Sequence, residues 1–219
     1  MQTTPPLNNP TESNQEQPQI EQQKSRFPLL VKSGLGFLWE VTKTVVISVI
    51  IIVLIRQYLF KPFYVKGASM EPTFRDDEYL IINEIDYRLH QPQRGDIIVL
   101  RYPNDPKQYF IKRIIGLPGE TVLIQNGGVW IINDQHPDGF QLDESAYLAA
   151  DVQTAGTERI PLSADQYFVL GDNRPASLDS RSSILGSIPR SAIIGRTWFR
   201  VWPFSRLSAF STPQYPASL

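Results

Sequence analysis

No cysteine occurs among the 219 residues, which removes disulfides, thiolate nucleophiles and cysteine-ligated metals together. A cysteine-free chain is also compatible with a site outside the cytoplasm. Histidine is nearly absent: His90 and His136 are too few for the usual histidine-rich metal sites. His90 precedes Gln91-Pro92 and His136 sits in Asp-Gln-His-Pro-Asp, so both read as polar surface positions rather than ligands or bases. A net charge of −1 gives no electrostatic case for nucleic acid. Several catalytic signatures are missing as well. There is no His-Glu-x-x-His, and no Ser lies three residues before a Lys. The Gly-x-Ser-x-Gly elbow fails around Ser69, because Glu71 takes its final Gly position.

What is present begins with a polar tail. Residues 1–26 are rich in Gln, Pro, Asn, Thr and Glu and read as disordered, since they bury too little to offset ordering entropy. The tail has neither the apolar run nor the cleavage site of a secretory signal. Residues 27–62 form an anchor region, in which 27–39 is transitional and 41–60 is the expected transmembrane helix. Its uncharged core, Thr44 to Ile55, is shorter than the about 20 residues of a spanning helix. Lys43 and Arg56 lengthen it by snorkelling, and Tyr58, Leu59 and Phe60 suit the interface. Basic residues flank the run on both sides, so charge leaves the orientation open.

Beyond Pro62 the texture changes to short apolar runs between turn residues. Strands are expected at 79–82, 96–100, 109–115, 121–124, 129–132, 166–170 and 192–200. Asn126-Gly127-Gly128 is a hairpin signal between two of them. The fold class is mostly β: an antiparallel catalytic domain over 63–219, with a smaller β subdomain at about 119–165, on one transmembrane helix. Within that subdomain 138–158 reads as loop. Trp198, Trp202, Phe204 and Phe210 suit packing on the sheet or contact with the interface.

Three stretches carry the chemistry. Tyr64-Val-Lys-Gly-Ala-Ser-Met-Glu-Pro-Thr-Phe74 centres on Ser69. Phe110-Ile-Lys-Arg-Ile-Ile-Gly-Leu-Pro-Gly-Glu120 follows, and then Gly171-Asp-Asn-Arg174 running into Ser177-Leu-Asp-Ser-Arg181. A serine hydroxyl is a weak nucleophile until a base takes its proton, and a lysine serves that role in Ser–Lys dyads. Lysine at its reference pKa, about 10.4, is protonated at neutral pH, so it must be buried to act as a base. Phe110, Ile111, Ile114 and Ile115 give Lys112 such a setting. In a strand Lys112 shares a face with Phe110 and Ile114, while Arg113 faces the other way.

Taken together, the three stretches resemble the boxes of the type I signal peptidases, the membrane-bound leader peptidase family. The resemblance spans about residues 64–195 and implies a serine endopeptidase that removes signal peptides from exported preproteins through an acyl-enzyme. It implies Ser69 as nucleophile, Lys112 as general base and Ser177 as the serine that orients the lysine. Asp179 and Arg181 match a charged pair bracing the site, Asp172 belongs to the same turn, and Arg113 is structural. Val65, Met70, Phe74, Phe110 and Ile111 are expected to line the pocket for a small residue before the cut. No metal and no cofactor are implied. The implied partners are signal-peptide-bearing preproteins, the lipid bilayer and the secretion translocon, with no nucleic acid. The implied topology has a cytoplasmic N-terminus and an exocytoplasmic catalytic domain.

Two departures from the pattern stand out. Gly67 occupies a position where some members carry an oxyanion-stabilising Ser. Ser182-Ser183-Ile184-Leu185 is longer than the usual segment and lacks its aromatics. Two rival readings remain: a soluble Ser–Lys autopeptidase like the self-cleaving stress-response repressors, and a catalytically silent membrane scaffold or preprotein-binding module.

Overall fold

A computed structural model describes residues 27–58, 60–213 and 215. The 1–26 tail lies outside the described residues, as do Leu59 and the side chains of Arg56, Tyr58 and Phe60 that were assigned to the interface. The chain divides into two compact units, Met1–Ser48 and Val49–Leu219.

Helix α1, Phe27–Tyr58, is longer than the expected 41–60 span and takes in the stretch read as transitional. Pro28 lies in its first turn, where the missing N–H has no intrahelical partner to lose. Isolated Gly34 and Gly36 cost helix stability without ending it. Its Gly36–Val53 stretch is apolar enough to cross a membrane, with a mean hydropathy of 1.9 and no residue buried. The hydroxyls of Thr42 and Thr44 donate back to the Leu38 and Glu40 carbonyls at 2.8 and 2.9 Å, and Lys43 pairs with Glu40 at 3.0 Å.

The rest is mostly β. The strands are β1 (Phe60–Tyr64), β2 (Tyr79–Asn83), β3 (Ile97–Arg101), β4 (Tyr109–Gly116), β5 (Thr121–Gln125) and β6 (Gly128–Asn133). They continue with β7 (His136–Gln141), β8 (Arg159–Pro161), β9 (Gln166–Leu170), β10 (Ile188–Pro189), β11 (Ile193–Trp202) and β12 (Ser208–Ala209). A one-turn helix, α2 (Asp86–Leu89), lies between β2 and β3. Among the described residues these form an eight-stranded sheet in the order β1-β2-β11-β3-β4-β9-β10, with β12 also on β11. A second sheet runs β7-β6-β5-β8. Every pairing is antiparallel.

Pleating sorts side chains between the cores. On β3, Ile98 and Leu100 join a cluster with Ile114 and Val169, while Ile97 and Val99 turn to a cluster with Leu80 and Phe74. On β4, Ile115 faces Phe168 and the β5–β6 hairpin residues Val122 and Val129. Each fully buried residue of this size contributes about 1.5–3 kcal/mol. Asn126 and Gly127, both at positive φ (53° and 77°), make the tight turn between β5 and β6. The 138–158 segment is not all loop. Its first residues complete β7, where Ile131 pairs with Phe140 and Trp130 with Gln141. Pro137 is accommodated because β7 is an edge strand.

Candidate active site

Ser69 sits in the turn-rich segment between β1 and β2. The Glu71 N–H donates to the Ala68 carbonyl at 3.1 Å and the Phe74 N–H to the Met70 carbonyl at 2.8 Å. Met70 and Phe74, 1% and 0% exposed, anchor this segment in the core beside Leu80 and Val99. Asn173 holds it from the other side: its N–H reaches the Ser69 carbonyl at 3.1 Å, and its side-chain amide the Ala68 carbonyl at 3.0 Å. Gly67 lies at φ +94°, a conformation that disfavours any side chain, which is a physical reason for glycine there. Its N–H is taken by Asp76 at 2.7 Å. Among the described residues, none accepts a hydrogen bond from the Ser69 N–H.

Lys112 reaches the serine from β4, opposite Ile98. Its Nζ lies 2.8 Å from Ser69 Oγ and 2.9 Å from the Ile111 carbonyl. It also stands 5.4 Å from the centre of the Phe110 ring. The residue is 3% exposed. Burial pushes its pKa from 10.5 down to about 8, against the opposing pull of the Asp179 and Asp172 carboxylates. An amine that titrates there is neutral often enough near physiological pH to accept a proton from Ser69.

The neighbouring Arg113 is held elsewhere. It makes a two-pronged ion pair with Asp172, Nε to Oδ1 at 2.8 Å and Nη2 to Oδ2 at 2.7 Å. It also donates to the Gly95 carbonyl at 2.9 Å and stacks 3.8 Å above the Tyr147 ring. Asp172 further accepts from the Thr73 hydroxyl at 2.6 Å, so the turn after β9 is tied to the Ser69 segment. Arg181 clasps Asp179 through Nε and Nη2, at 2.8 and 2.9 Å. Asp179 also accepts from the Gly171 N–H at 3.1 Å. The longer 182–185 segment leaves this pair intact. It closes as a turn, with the Gly186 N–H on the Ser182 carbonyl at 2.8 Å, and Leu185 fills the core in place of the missing aromatics.

Ser177 is beside these groups but makes no bond to Lys112. Its Oγ is buried without a hydrogen-bond partner, packed so tightly against Gly171 that a Cβ there would strike Ser177 Oγ and the Ser69 carbonyl. The bond that the resemblance implies is therefore absent in this arrangement, where Lys112 Nζ bonds to Ser69 and to its own strand.

A cavity of about 300 Å³ opens beside Ser69 and Lys112. Val65, Phe110 and Ile111 line it, together with Phe63, Leu80 and Val99. Met70 and Phe74 do not line it. The turn that presents Ser69 sends both inward, where Phe74 meets Phe210 at 4.6 Å. Sequence reasoning also missed the grip of Asn173 and the buried Arg174–Glu144 pair behind it. Asn173 and Arg174 were visible in the Gly-Asp-Asn-Arg run, whereas Glu144 sits in a segment with no signal. His90 pairs with Asp86 at 3.1 Å, and the His136 ring rests on Phe140. No group of three or more His, Asp or Glu among the described residues is placed to hold a metal ion.

The family model described as signal peptidase, peptidase S26, matches residues 38–202. The chain belongs to this family. A probable signal peptidase I-2 of Synechocystis sp. is 40% identical over 174 residues, covering 77% of this chain and 75% of its own length. A signal peptidase I of Leptolyngbya laminosa is 37% identical over 204 residues, covering 90% and 91%. A crystal structure of signal peptidase I from Enterococcus faecalis V583 shares 30% identity with a TM-score of 0.39, over 49% of this chain and 97% of that one. Membership of the signal peptidases makes the protein a protease that acts on signal-peptide-bearing preproteins.

Proposed function

We infer that the chain cleaves preproteins by a Ser69–Lys112 dyad. The observation that carries this reading is the 2.8 Å approach of a buried Lys112 Nζ to Ser69 Oγ. Neutral Lys112 takes the Ser69 proton as Oγ attacks the scissile carbonyl. The resulting ammonium returns that proton to the departing amine as the C–N bond breaks, leaving an acyl-Ser69. Lys112, neutral again, takes a proton from water as it attacks the ester, and returns it to Oγ on release of the acid. The Ser69 N–H is the donor nearest to hand for the oxyanion, with Gly67 offering no hydroxyl. The apolar cavity beside the dyad suits small side chains before the cut. Substrate as an extended strand is the natural partner for such a sheet.

The anchor is α1. Its apolar stretch is long enough for the about 30 Å hydrocarbon layer, and its Thr hydroxyls are satisfied within the helix. The N-terminus is assigned to the cytoplasm and the β domain to the exocytoplasmic side, where preproteins emerge from the secretion translocon.

The test is purified full-length protein in detergent, incubated with a preprotein carrying Ala-x-Ala before its mature start. Cleavage after the second Ala, lost in Ser69→Ala and in Lys112→Ala, supports the dyad. Cleavage that survives Lys112→Ala sinks the base assignment.

A further inference from the structure

A second cavity, of about 320 Å³, lies beyond the Phe63–Tyr109 ring pair that also walls the catalytic cavity. Its charged groups are Lys61, Arg88, Arg101 and Arg190 against one carboxylate, Glu84. That carboxylate is already engaged by Lys61 at 2.9 Å. Arg190 leans on α2, donating to the Tyr87 carbonyl at 2.5 Å with its guanidinium 5.4 Å from the Tyr87 ring. Arg88 and Arg101 have no carboxylate partner among the described residues. Three arginines and one lysine thus line one concavity with a single acid, and that acid has Lys61 as its ion-pair partner. Guanidinium matches the oxygens of a phosphate in pairs, which favours a phosphate or phosphodiester over a carboxylate-poor void filled by water alone.

The place of this cavity in the chain says which phosphate. Lys61 follows the last residue of α1 by three positions, ~10 Å at full extension. A lysine so close to the end of a spanning helix is within reach of the headgroup layer, where anionic lipids attract basic groups. We propose that the Lys61–Arg88–Arg101–Arg190 cavity binds the phosphate of an anionic phospholipid headgroup, beside the entrance to the catalytic cavity. This rests on the reading of α1 as a membrane anchor. Arg88 and Arg101, the cavity's arginines whose side chains lack a carboxylate or carbonyl partner among the described residues, are assigned to the phosphate oxygens, and the Phe63–Tyr109 ring pair walls both this cavity and the catalytic one. No covalent step is involved.

The test is native mass spectrometry of the full-length protein from a neutral detergent, with phosphatidylglycerol or phosphatidylcholine added. Wild type should retain phosphatidylglycerol in preference to phosphatidylcholine. The Arg88→Gln/Arg101→Gln pair should weaken that retention about thirtyfold, the equivalent of about 1 kcal/mol for each of the two basic groups. The exposed cations Lys107 and Arg159, outside the cavity, serve as the control pair. Equal retention in the Arg88/Arg101 pair, or an equal loss in Lys107→Gln/Arg159→Gln, overturns the assignment. Binding of inorganic phosphate as tight as that of phosphatidylglycerol overturns it in favour of a soluble anion. Altered processing of preproteins with acidic signal peptides, at unchanged lipid retention, overturns it in favour of substrate contact. Sedimentation with phosphatidylcholine vesicles separates the two readings. Wild type that fails to co-sediment sinks the anchor and this site together, whereas co-sedimentation without phosphatidylglycerol preference sinks the site alone.

Discussion

Arg113 and Asp172 are joined by two parallel N–H···O bonds, and their side chains are 4% and 0% exposed. The pair links β4, one residue past the lysine, to the turn whose next residue holds the Ser69 carbonyl. Asp172→Ala leaves a buried guanidinium without its counter-ion, which costs about 3–5 kcal/mol. The expected outcome is a clear fall in the urea midpoint, with Asp172→Asn falling less because its one amide oxygen can still accept from Arg113 Nη2 and Thr73. An unchanged midpoint in Asp172→Ala means that the ion pair is not formed in solution.

The acid limb of catalysis should report Lys112. Protonation disables the base, so kcat rises with pH and levels off above about 8. Below that pH the rate falls by about tenfold per pH unit. The carboxylate of Asp179 holds the ammonium form in place and so opposes the effect of burial. Asp179→Asn removes that charge with little change of shape, and the acid limb should move to lower pH. A pH–rate profile of both proteins checks this. Movement to higher pH, or none, separates Asp179 from the lysine.

Burial of Lys112 also has a stability signature. Its folded pKa, about 8, lies below the unfolded 10.5, so the unfolded chain binds the extra proton between these values. Stability contributed by this group falls as pH drops from 10.5 to 8, and the full penalty persists below 8. Lys112→Met removes the penalty at similar volume. It should abolish cleavage yet raise the unfolding free energy near neutral pH by on the order of 3 kcal/mol, at 1.36 kcal/mol per pH unit. The difference should shrink as pH rises from about 8 and vanish above 10.5, where the lysine is neutral in both folded and unfolded chains. Urea titrations at the two pH values decide it, and a variant less stable than wild type near neutrality contradicts the desolvation argument.

The central strands were legible because their apolar residues alternate or run unbroken, as in Ile97–Val99 and Ile114–Ile115. The edges were not. β1, β7, β8 and β10 end the two sheet orders, and each contains a proline: Pro62, Pro137, Pro161 and Pro189, whereas the two-residue β12 on β11 has none. Proline weakens the strand signal in sequence and is tolerated only where one side of the ladder is unpaired, so the same residue hides an edge and protects it. That Ser69 and Lys112 would meet was legible only through their motifs, since no local rule connects residues 43 apart. Direction was harder to read. Met70 and Phe74 flank Ser69 in sequence, and only the turn decides that they face the core while Val65 and Ile111 face the cavity. Glu144 meets Arg174 across a separation of 30, from a segment with no periodicity to betray it.

Ser177 gives the sharpest division between resting structure and mechanism. Its buried Oγ lacks a partner while Lys112 Nζ bonds elsewhere, and an unsatisfied buried hydroxyl costs about 1–3 kcal/mol. Ser177→Ala deletes that oxygen without enlarging any contact near Gly171. The unfolding midpoint should therefore hold or rise. The orienting role implied by the family requires that Ser177 Oγ turn to the lysine once substrate displaces its present bonds. In that case kcat falls in Ser177→Ala while KM stays near wild type, because the interaction is made only on the way to the transition state. A lowered midpoint shows that Oγ has a partner in solution. A midpoint and a kcat both unchanged remove Ser177 from the catalytic assembly and leave Asn173, Asp172 and the Asp179–Arg181 pair to hold the dyad.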